Sequence, residues 1–367
     1  MQIALLRDAE VAGKRVLVRC DFDVPLKNLP AGRQMVEVAD ASRLKAAIPT
    51  ITFLREHGAK EIILIGHVGR PDGKVVEELR VAPIEKKLGE LTNMSGIVVK
   101  ENLRFDPREE ANDPTLAQEL ANLADIFVNE SFATAHRAHA STVGVAKLLP
   151  SYAGLRFAEE VERLSQALTP PQGSVALIGG AKFETKQPLI EKLLNIYSTV
   201  MVGGALGNDM LKARGFPFGS SLISSTPVPT SIAGNERLLS PLDAAFMGGE
   251  MDGRTAPVTD TRADEKIVDL GPQTAMEWAK IIQEAPFVLW NGPMGVYEDG
   301  YTHGTDMLAG ALASSSTTAI IGGGDTAAAV SKFTFDPKKI FISSGGGAML
   351  DFLANGTLPT LDVLIKK

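Results

Sequence analysis

The feature that most constrains this chain is an alternation. Short apolar runs are each followed by a longer segment of helical period, from near the N-terminus almost to the end. Arg15–Cys20 reads as a buried strand. Asp40–His57 reads as a helix with Leu44, Ala47, Ile48, Ile51 and Leu54 on one face and Gly58 as its stop. Glu61–Gly66 is the next strand, Ala82–Leu91 a helix and Asp125–Asn129 a further strand. Strands that are apolar throughout, separated by amphipathic helices, predict a parallel sheet covered on both faces. The pattern restarts after an amphipathic stretch, Glu159–Leu168, closed by Pro170-Pro171. Strands are then expected at Ser174–Ile178, Thr199–Val202, Pro286–Leu289, Thr318–Ile321 and Ile340–Ser343. Between Ser224 and Ile267 the chain is rich in Pro, Gly, Thr and Asp and shows no clear element. A chain of 367 residues exceeds what one hydrophobic core serves. The predicted fold class is therefore α/β, with two Rossmann-like parallel-sheet domains and a boundary near 150–170.

Composition removes several function classes. Hydrophobic content of 44% with 22% charged residues describes a folded chain, not a disordered one. A net charge of −7 argues against non-specific nucleic-acid binding. No apolar stretch approaches the roughly 18–20 residues of a membrane span, and the N-terminus lacks the basic and apolar regions of a secretory signal. The only cysteine, Cys20, suits a reducing compartment. The expectation is a cytoplasmic protein with neither nucleic acid nor membrane as partner.

In open α/β sheets ligands bind beyond the carboxyl ends of the strands. Asp21-Phe22-Asp23, His67-Val68-Gly69-Arg70, Asn102-Leu103-Arg104 and His136-Arg137-Ala138-His139 all fall in such places, and Arg43 lies in the first turn of the helix after the first strand. Any one of these arginines reads equally well as the partner of a surface carboxylate. Four at equivalent places point to a small polyanion, since the guanidinium fork donates two parallel bonds to phosphate or carboxylate oxygens. His136 and His139 lack a third ligand of suitable spacing, so the pair reads as structural. In the second half, Gly179-Gly180-Ala181-Lys182, Gly203-Gly204-Ala205, Gly322-Gly323-Gly324-Asp325-Thr326 and Gly345-Gly346-Gly347-Ala348 each follow a strand. Such turns let backbone N–H groups approach phosphate oxygens, with a helix dipole behind them. Asp325 reads either as a helix cap or as a Mg²⁺ ligand. Neither a P-loop nor an early Gly-x-Gly-x-x-Gly is present. The residues alone thus indicate an anion site and a nucleotide site without naming a reaction.

The strings Val16–Leu26, His67-Val68-Gly69-Arg70-Pro71, Ala133–His139, Gly179–Lys182, Trp290-Asn291-Gly292-Pro293-Met294-Gly295-Val296, Gly323–Thr326 and Gly345–Ala348 together resemble phosphoglycerate kinase, in that family's order and across nearly the whole chain. The resemblance implies transfer of a phosphoryl group between ATP and the carboxylate of 3-phosphoglycerate, by a monomer whose two domains are separated by a hinge and cleft. It implies a 3-phosphoglycerate domain over 1–155, a nucleotide domain over 156–349, and a C-terminal segment of about 350–367 returning to the first domain. Asp21, Asp23, Arg43, His67, Arg70, Arg104 and Arg137 would bind 3-phosphoglycerate. Lys186, Glu298, Gly323, Gly324, Asp325 and Thr326 would bind the nucleotide, with Asp325 on Mg²⁺. Arg43, Lys182, Gly346 and Gly347 would act on the phosphoryl group in transfer. Two alternatives are a kinase for another small phosphorylated carboxylate and a non-catalytic sensor of nucleotide or phosphoglycerate. The chain departs from the family strings at Asp23 (usually Asn), at Asn129-Glu130-Ser131-Phe132 and at Ser343-Ser344. It is also shorter than most members, which points to trimmed loops in 27–36 and 223–267.

Overall fold

The computed structural model describes residues 2–28, 36–248 and 253–366, so much of the expected loop 27–36 lies outside the described residues. The chain divides into two compact units, Met1–Glu162 with Thr357–Lys367, and Arg163–Gly356.

The first unit is built on a parallel sheet of β1 (Arg15–Arg19), β2 (Glu61–Ile65), β3 (Ile97–Val99), β4 (Ile126–Asn129) and β5 (Ser151–Ala153), in the order β3-β2-β1-β4-β5. Register runs Val16 to Ile62 on one side and Val16 to Ile126 on the other. Val16 and Val18 pack with Leu44, Ile51 and Leu64 in one core, whereas Leu17 packs with Ile63, Leu116 and Phe127 in another. Alternate side chains of β1 therefore leave the sheet toward two different apolar layers, which is why the strand is apolar on both faces. Arg19 shares the face of Leu17 and is also fully buried. The helix Ser42–Glu56 buries Leu44, Ala47, Ile51 and Leu54.

The second unit contains β6 (Val175–Ile178), β7 (Thr199–Val202), β8 (Leu238–Leu239), β9 (Phe287–Asn291), β10 (Thr318–Gly322) and β11 (Ile340–Ser343), ordered β8-β7-β6-β9-β10-β11 and all parallel. Both sheets follow one rule. The chain winds outward in one direction from its first strand, then returns and winds in the other, so the switch points lie between β1 and β4 and between β6 and β9. Ligand sites in such sheets form at those switch points.

Three features differ from the sequence expectation. The stretch 224–267 is not irregular: Thr255–Pro257, Asp243–Met247 and Lys266–Leu270 form an antiparallel sheet in that spatial order, with Ala244 and Phe246 buried against Leu211 and Val258. These strands are short, one ends in proline, and their pairing is a tertiary event that no local periodicity announces. The amphipathic helix begins at Leu155, not Glu159, and the division between units falls within it at 162/163 rather than at 155/156. The C-terminal return begins at Thr357, because the helix Gly347–Asn355 buries Met349, Phe352 and Leu353 in the second unit. From there Leu361 and Leu364 bury themselves in the first unit, the carbonyl of Leu364 accepts from Ala4 N, and that of Gln2 accepts from Lys366 N.

Candidate active site

At the first switch point the chain leaves β1 through Arg19, Cys20, Asp21 and Asp23. Arg43 donates through Nη1 to both carboxylate oxygens of Asp21, at 3.2 and 3.0 Å. Asp23 Oδ1 accepts from the N–H of Gly69 at 2.9 Å, and its Oδ2 lies 3.8 Å from His67 Nε2. Gly69 is held from the other side as well, its carbonyl accepting from Arg104 Nη1 at 2.8 Å. The turn that carries Arg70, itself exposed, is thereby fixed through both backbone groups of one residue.

Arg104 is 3% exposed, yet only part of its fork is satisfied. Glu110 Oε1 lies 3.0 Å from Nε, while Nη2 is buried with no hydrogen-bond partner among the described residues. A buried unpaired donor is costly, and such groups persist where a ligand uses them. Half-buried Arg137 donates from Nε to His136 Nε2 at 3.2 Å. Burial first, then the charges of Arg104, Arg19 and Arg137, pushes the His139 imidazole down to about 4. Burial and then Arg19, Arg104 and Arg137 push His67 down as well. Arg19, Arg104 and Arg137 thus act on both rings, and Asp21 senses Arg43, Arg19 and Asp23.

Arg19 is the residue that sequence reasoning missed. Its Nε donates to Ser141 Oγ at 3.0 Å and its Nη2 to His67 Nδ1 at 2.8 Å, and Nη1 donates to the Cys20 carbonyl. Ser141 Oγ and N in turn donate to the buried carboxylate of Glu109. The available signal was a charge inside a strand buried on both faces, which demands a buried partner. His139 Nδ1 stands 3.8 Å from Glu109 Oε1.

At the second switch point the glycines separate into two groups. Some are there so that turns can touch. Gly179 N donates to the Asn291 carbonyl at 2.8 Å and Gly180 N to that of Pro293 at 3.1 Å, and a Cβ on Gly179 would sit 2.1 Å from Pro293 O. Gly292, at φ +95, would place a Cβ 2.3 Å from Gly179 O. Others face open space: a Cβ at Gly324 or Gly346 would meet nothing within 4 Å. Gly323 belongs to the first group, with Thr326 Oγ1 and Asn291 Nδ2 at 3.1 Å from its Cβ position. Thr326 is fully buried, its hydroxyl accepting from Gly292 N at 2.7 Å, so it braces the turn from within.

Lys186 donates from Nζ to the Gly179 carbonyl at 2.5 Å; burial pushes its ammonium down to about 8, against the opposing pull of Asp325. Asp325 is exposed in the first turn of the helix Gly324–Val330, and Glu298 is exposed in the turn Tyr297–Asp299. Burial raises the Tyr297 phenol first, and Asp325 and Glu298 raise it further. Lys182 is exposed before the helix Phe183–Ile196, and Gly347 opens the helix Gly347–Asn355. One exposed carboxylate beside open backbone amides suits Mg²⁺ carried on phosphate oxygens, since that ion takes few protein ligands. Among the described residues no group of three or more His, Cys, Asp or Glu side chains could hold a metal by itself, and no helix is long and apolar enough to cross a membrane.

Comparison with known proteins agrees on one family. A family model described as Phosphoglycerate kinase matches residues 6–100 and 92–356. The Phosphoglycerate kinase of Moorella thermoacetica is 41% identical over 396 aligned residues covering 99% of each chain, and that of Roseiflexus sp. is 39% identical over 395, covering 98% of each. Among solved structures, phosphoglycerate kinase from Coxiella burnetii matches with a TM-score of 0.85 at 34% identity, covering 99% of this chain and 98% of that one. The enzyme from Pyrococcus horikoshii gives 0.81 at 27%, with the same coverage.

Proposed function

The chain belongs to the phosphoglycerate kinase family and transfers a phosphoryl group reversibly between ATP and the carboxylate of 3-phosphoglycerate, and we propose the following division of labour among its residues. Arg70, Arg104 and Arg137, with His67, take the phosphate of 3-phosphoglycerate. Asp21 and Asp23 face its hydroxyl, and Arg43 orients the carboxylate. Lys186, Glu298 and the turn Gly323–Thr326 hold ATP, with Asp325 as the protein ligand of Mg²⁺, which when bound offsets phosphate charge. Lys182 and the amides of Gly345–Gly347 meet the phosphoryl group in transfer.

The chemistry asks for little covalent help. A carboxylate oxygen attacks the γ-phosphorus, the bond from that phosphorus to its bridging oxygen breaks, and ADP leaves. Catalysis is positioning plus stabilisation of charge on the equatorial oxygens. Transfer also requires that water be kept away from the acyl phosphate. The reading extends to a monomeric cytoplasmic enzyme, in keeping with a lone, buried Cys20.

The observation that carries the reading is the buried, incompletely satisfied guanidinium of Arg104, which is held on the Gly69 carbonyl and lies within the electrostatic reach of Arg19, Arg137 and His67. A substrate without phosphate would leave Arg104 Nη2 without an acceptor, which weighs against a kinase for an unphosphorylated acid. A coupled assay of ADP formation from ATP and 3-phosphoglycerate tests it, alongside other phosphorylated carboxylates. Turnover with 3-phosphoglycerate is expected to exceed that with every other acid. Lys182→Ala is expected to lower kcat by about 10²–10³ while nucleotide binding persists. Full turnover in that variant would remove Lys182 from the chemistry, and nucleotide binding without turnover in the wild type would identify a sensor.

A further inference from the structure

Lys182 has a backbone conformation that its own chemistry does not explain. It sits at φ +67, ψ +75, in the left-handed region, where the other non-glycine residues among those described are Asp72 and Asn112. Asp and Asn reach that region with help from a short side chain that bonds locally, and lysine has no such help. Lys182 also occupies the capping position of the fourteen-residue helix Phe183–Ile196 without capping it. It cannot: an ammonium has only donors, and the first N–H groups of a helix need an acceptor.

The acceptor comes from elsewhere in the chain. Phe183 N, the first N–H of the helix, donates to Ser224 Oγ at 2.8 Å, across 41 residues of sequence. Ser224 is itself fixed twice by one carboxylate: its N–H donates to Asp209 Oδ1 at 2.7 Å and its hydroxyl to Oδ2 at 2.8 Å. With the hydroxyl proton committed to Asp209, the oxygen lone pairs of Ser224 are left for Phe183. Asp209 is 5% exposed and belongs to the helix Gly204–Ala213 that follows β7. It makes no ion pair among the described residues; Lys212 offsets its charge and Glu184 opposes it only at longer range. A buried carboxylate without a cation is disfavoured unless its oxygens are well used, and here both are spent on Ser224. The side chain of Phe183 is fully buried, so the residue after Lys182 is held by its N–H and by its ring.

We infer that Asp209 and Ser224 are positioning residues for the phosphoryl transfer: they cap the helix in place of Lys182, hold that lysine in its left-handed conformation and so set where its ammonium can reach. The inference rests on the role given to Lys182 above. Neither Asp209 nor Ser224 touches the ligand; both act through the peptide between Lys182 and Phe183. Their removal lets the backbone of Lys182 relax to an ordinary conformation and displaces its side chain, and misplacement of a catalytic group by about 1 Å can cost 10²-fold in rate.

The test is a double-mutant cycle on kcat, read beside calorimetric affinity for MgADP and a urea unfolding curve. Asp209→Ala and Ser224→Ala are each expected to lower kcat by about 10–100-fold with nucleotide affinity held within about threefold. In a Lys182→Ala background either change is expected to cost less than about twofold more, because its route to the chemistry is already gone. A merely structural tether predicts the same fractional loss in both backgrounds, and that additivity would overturn the inference, as would wild-type kcat in a cooperatively folded Asp209→Ala. If Asp209→Ala does not fold, the cycle is run with Ser224→Ala and Asp209→Asn, which keeps one acceptor for the Ser224 N–H and is expected to lose less. Failure of Lys182→Ala alone to reduce kcat is a different result, since it removes the premise about Lys182 and not the latch.

Discussion

Arg19 Nη2 stands 2.8 Å from His67 Nδ1. A guanidinium can only donate, so the imidazole accepts at Nδ1, is neutral, and carries its proton on Nε2, the nitrogen that faces Asp23. His67 is thus a fixed hydrogen-bond donor toward the anion site and not a titrating cation.

This arrangement predicts that nitrogen shifts of His67 show the Nε2–H tautomer and do not change between about pH 5 and pH 8, while His139 titrates near the value of about 4 to which burial and its arginine neighbours push it. Both rings take up protons more readily unfolded, where a histidine titrates near 6.5. The unfolded state therefore binds more protons below that value, and stability is lost as pH falls through and below about 6.5. A His67 resonance titrating with an ordinary midpoint would contradict the Arg19 bond.

Asp23→Asn keeps the oxygen that accepts from Gly69 N–H and removes one negative charge from the proposed site of an anionic substrate. The expected result is a KM for 3-phosphoglycerate lowered about three- to tenfold with kcat little changed. Steady-state kinetics at constant ionic strength decide it; an unchanged or higher KM means the carboxylate is not a source of repulsion.

Glu130 accepts from Thr50 Oγ1 at 2.7 Å and from the N–H groups of Arg156 and Phe157 at 3.1 and 3.4 Å, capping the helix Leu155–Leu168. Burial outweighs these donors and pushes its carboxyl up to about 8. Between the ordinary carboxyl value and about 8 the folded state holds a proton that the unfolded state has released, so this group's contribution to stability falls as pH rises through that window. Glu130→Gln removes the dependence. Urea midpoints at a series of pH values are expected to show wild type losing ground to Glu130→Gln from about pH 5 to pH 8; parallel curves would mean the carboxyl is ionised throughout.

The two kinds of glycine predict opposite phenotypes. Gly179→Ala drives a Cβ into the Pro293 carbonyl and is expected to cost about 3 kcal/mol or more in unfolding free energy. Gly324→Ala meets no protein atom within 4 Å at the start of a helix, so stability is expected to be unchanged or slightly raised. Its MgADP affinity by calorimetry is nonetheless expected to fall at least about tenfold, because in the proposed assignment phosphate approaches that backbone. Equal nucleotide affinity in Gly324→Ala and wild type would show that this glycine is not at a ligand.

What was legible in the sequence was what depends on neighbours along the chain. The period of each run identified β1, β2, β4, β6, β7, β9, β10 and β11 and the helices that follow β1 and β2, since an apolar strand or an amphipathic helix advertises its own burial. Residues following those strands could be proposed as ligand-binding because a parallel sheet presents its carboxyl ends together. The antiparallel sheet of 243–270 was not legible, because its short strands have no meaning until they pair.

Sequence by itself thus determined the α/β class, the two units and the family of the chemistry, all of which follow from local pattern or from strings of adjacent residues. Only tertiary structure decided what each charged or small residue is for. Arg19 meets His67 across 48 positions and Ser141 across 122, and Gly179 comes up against Pro293 only once β6 and β9 lie side by side. The energy of a buried charge or of a close backbone approach depends on partners brought by the fold, and nothing in the chemistry of consecutive residues specifies them.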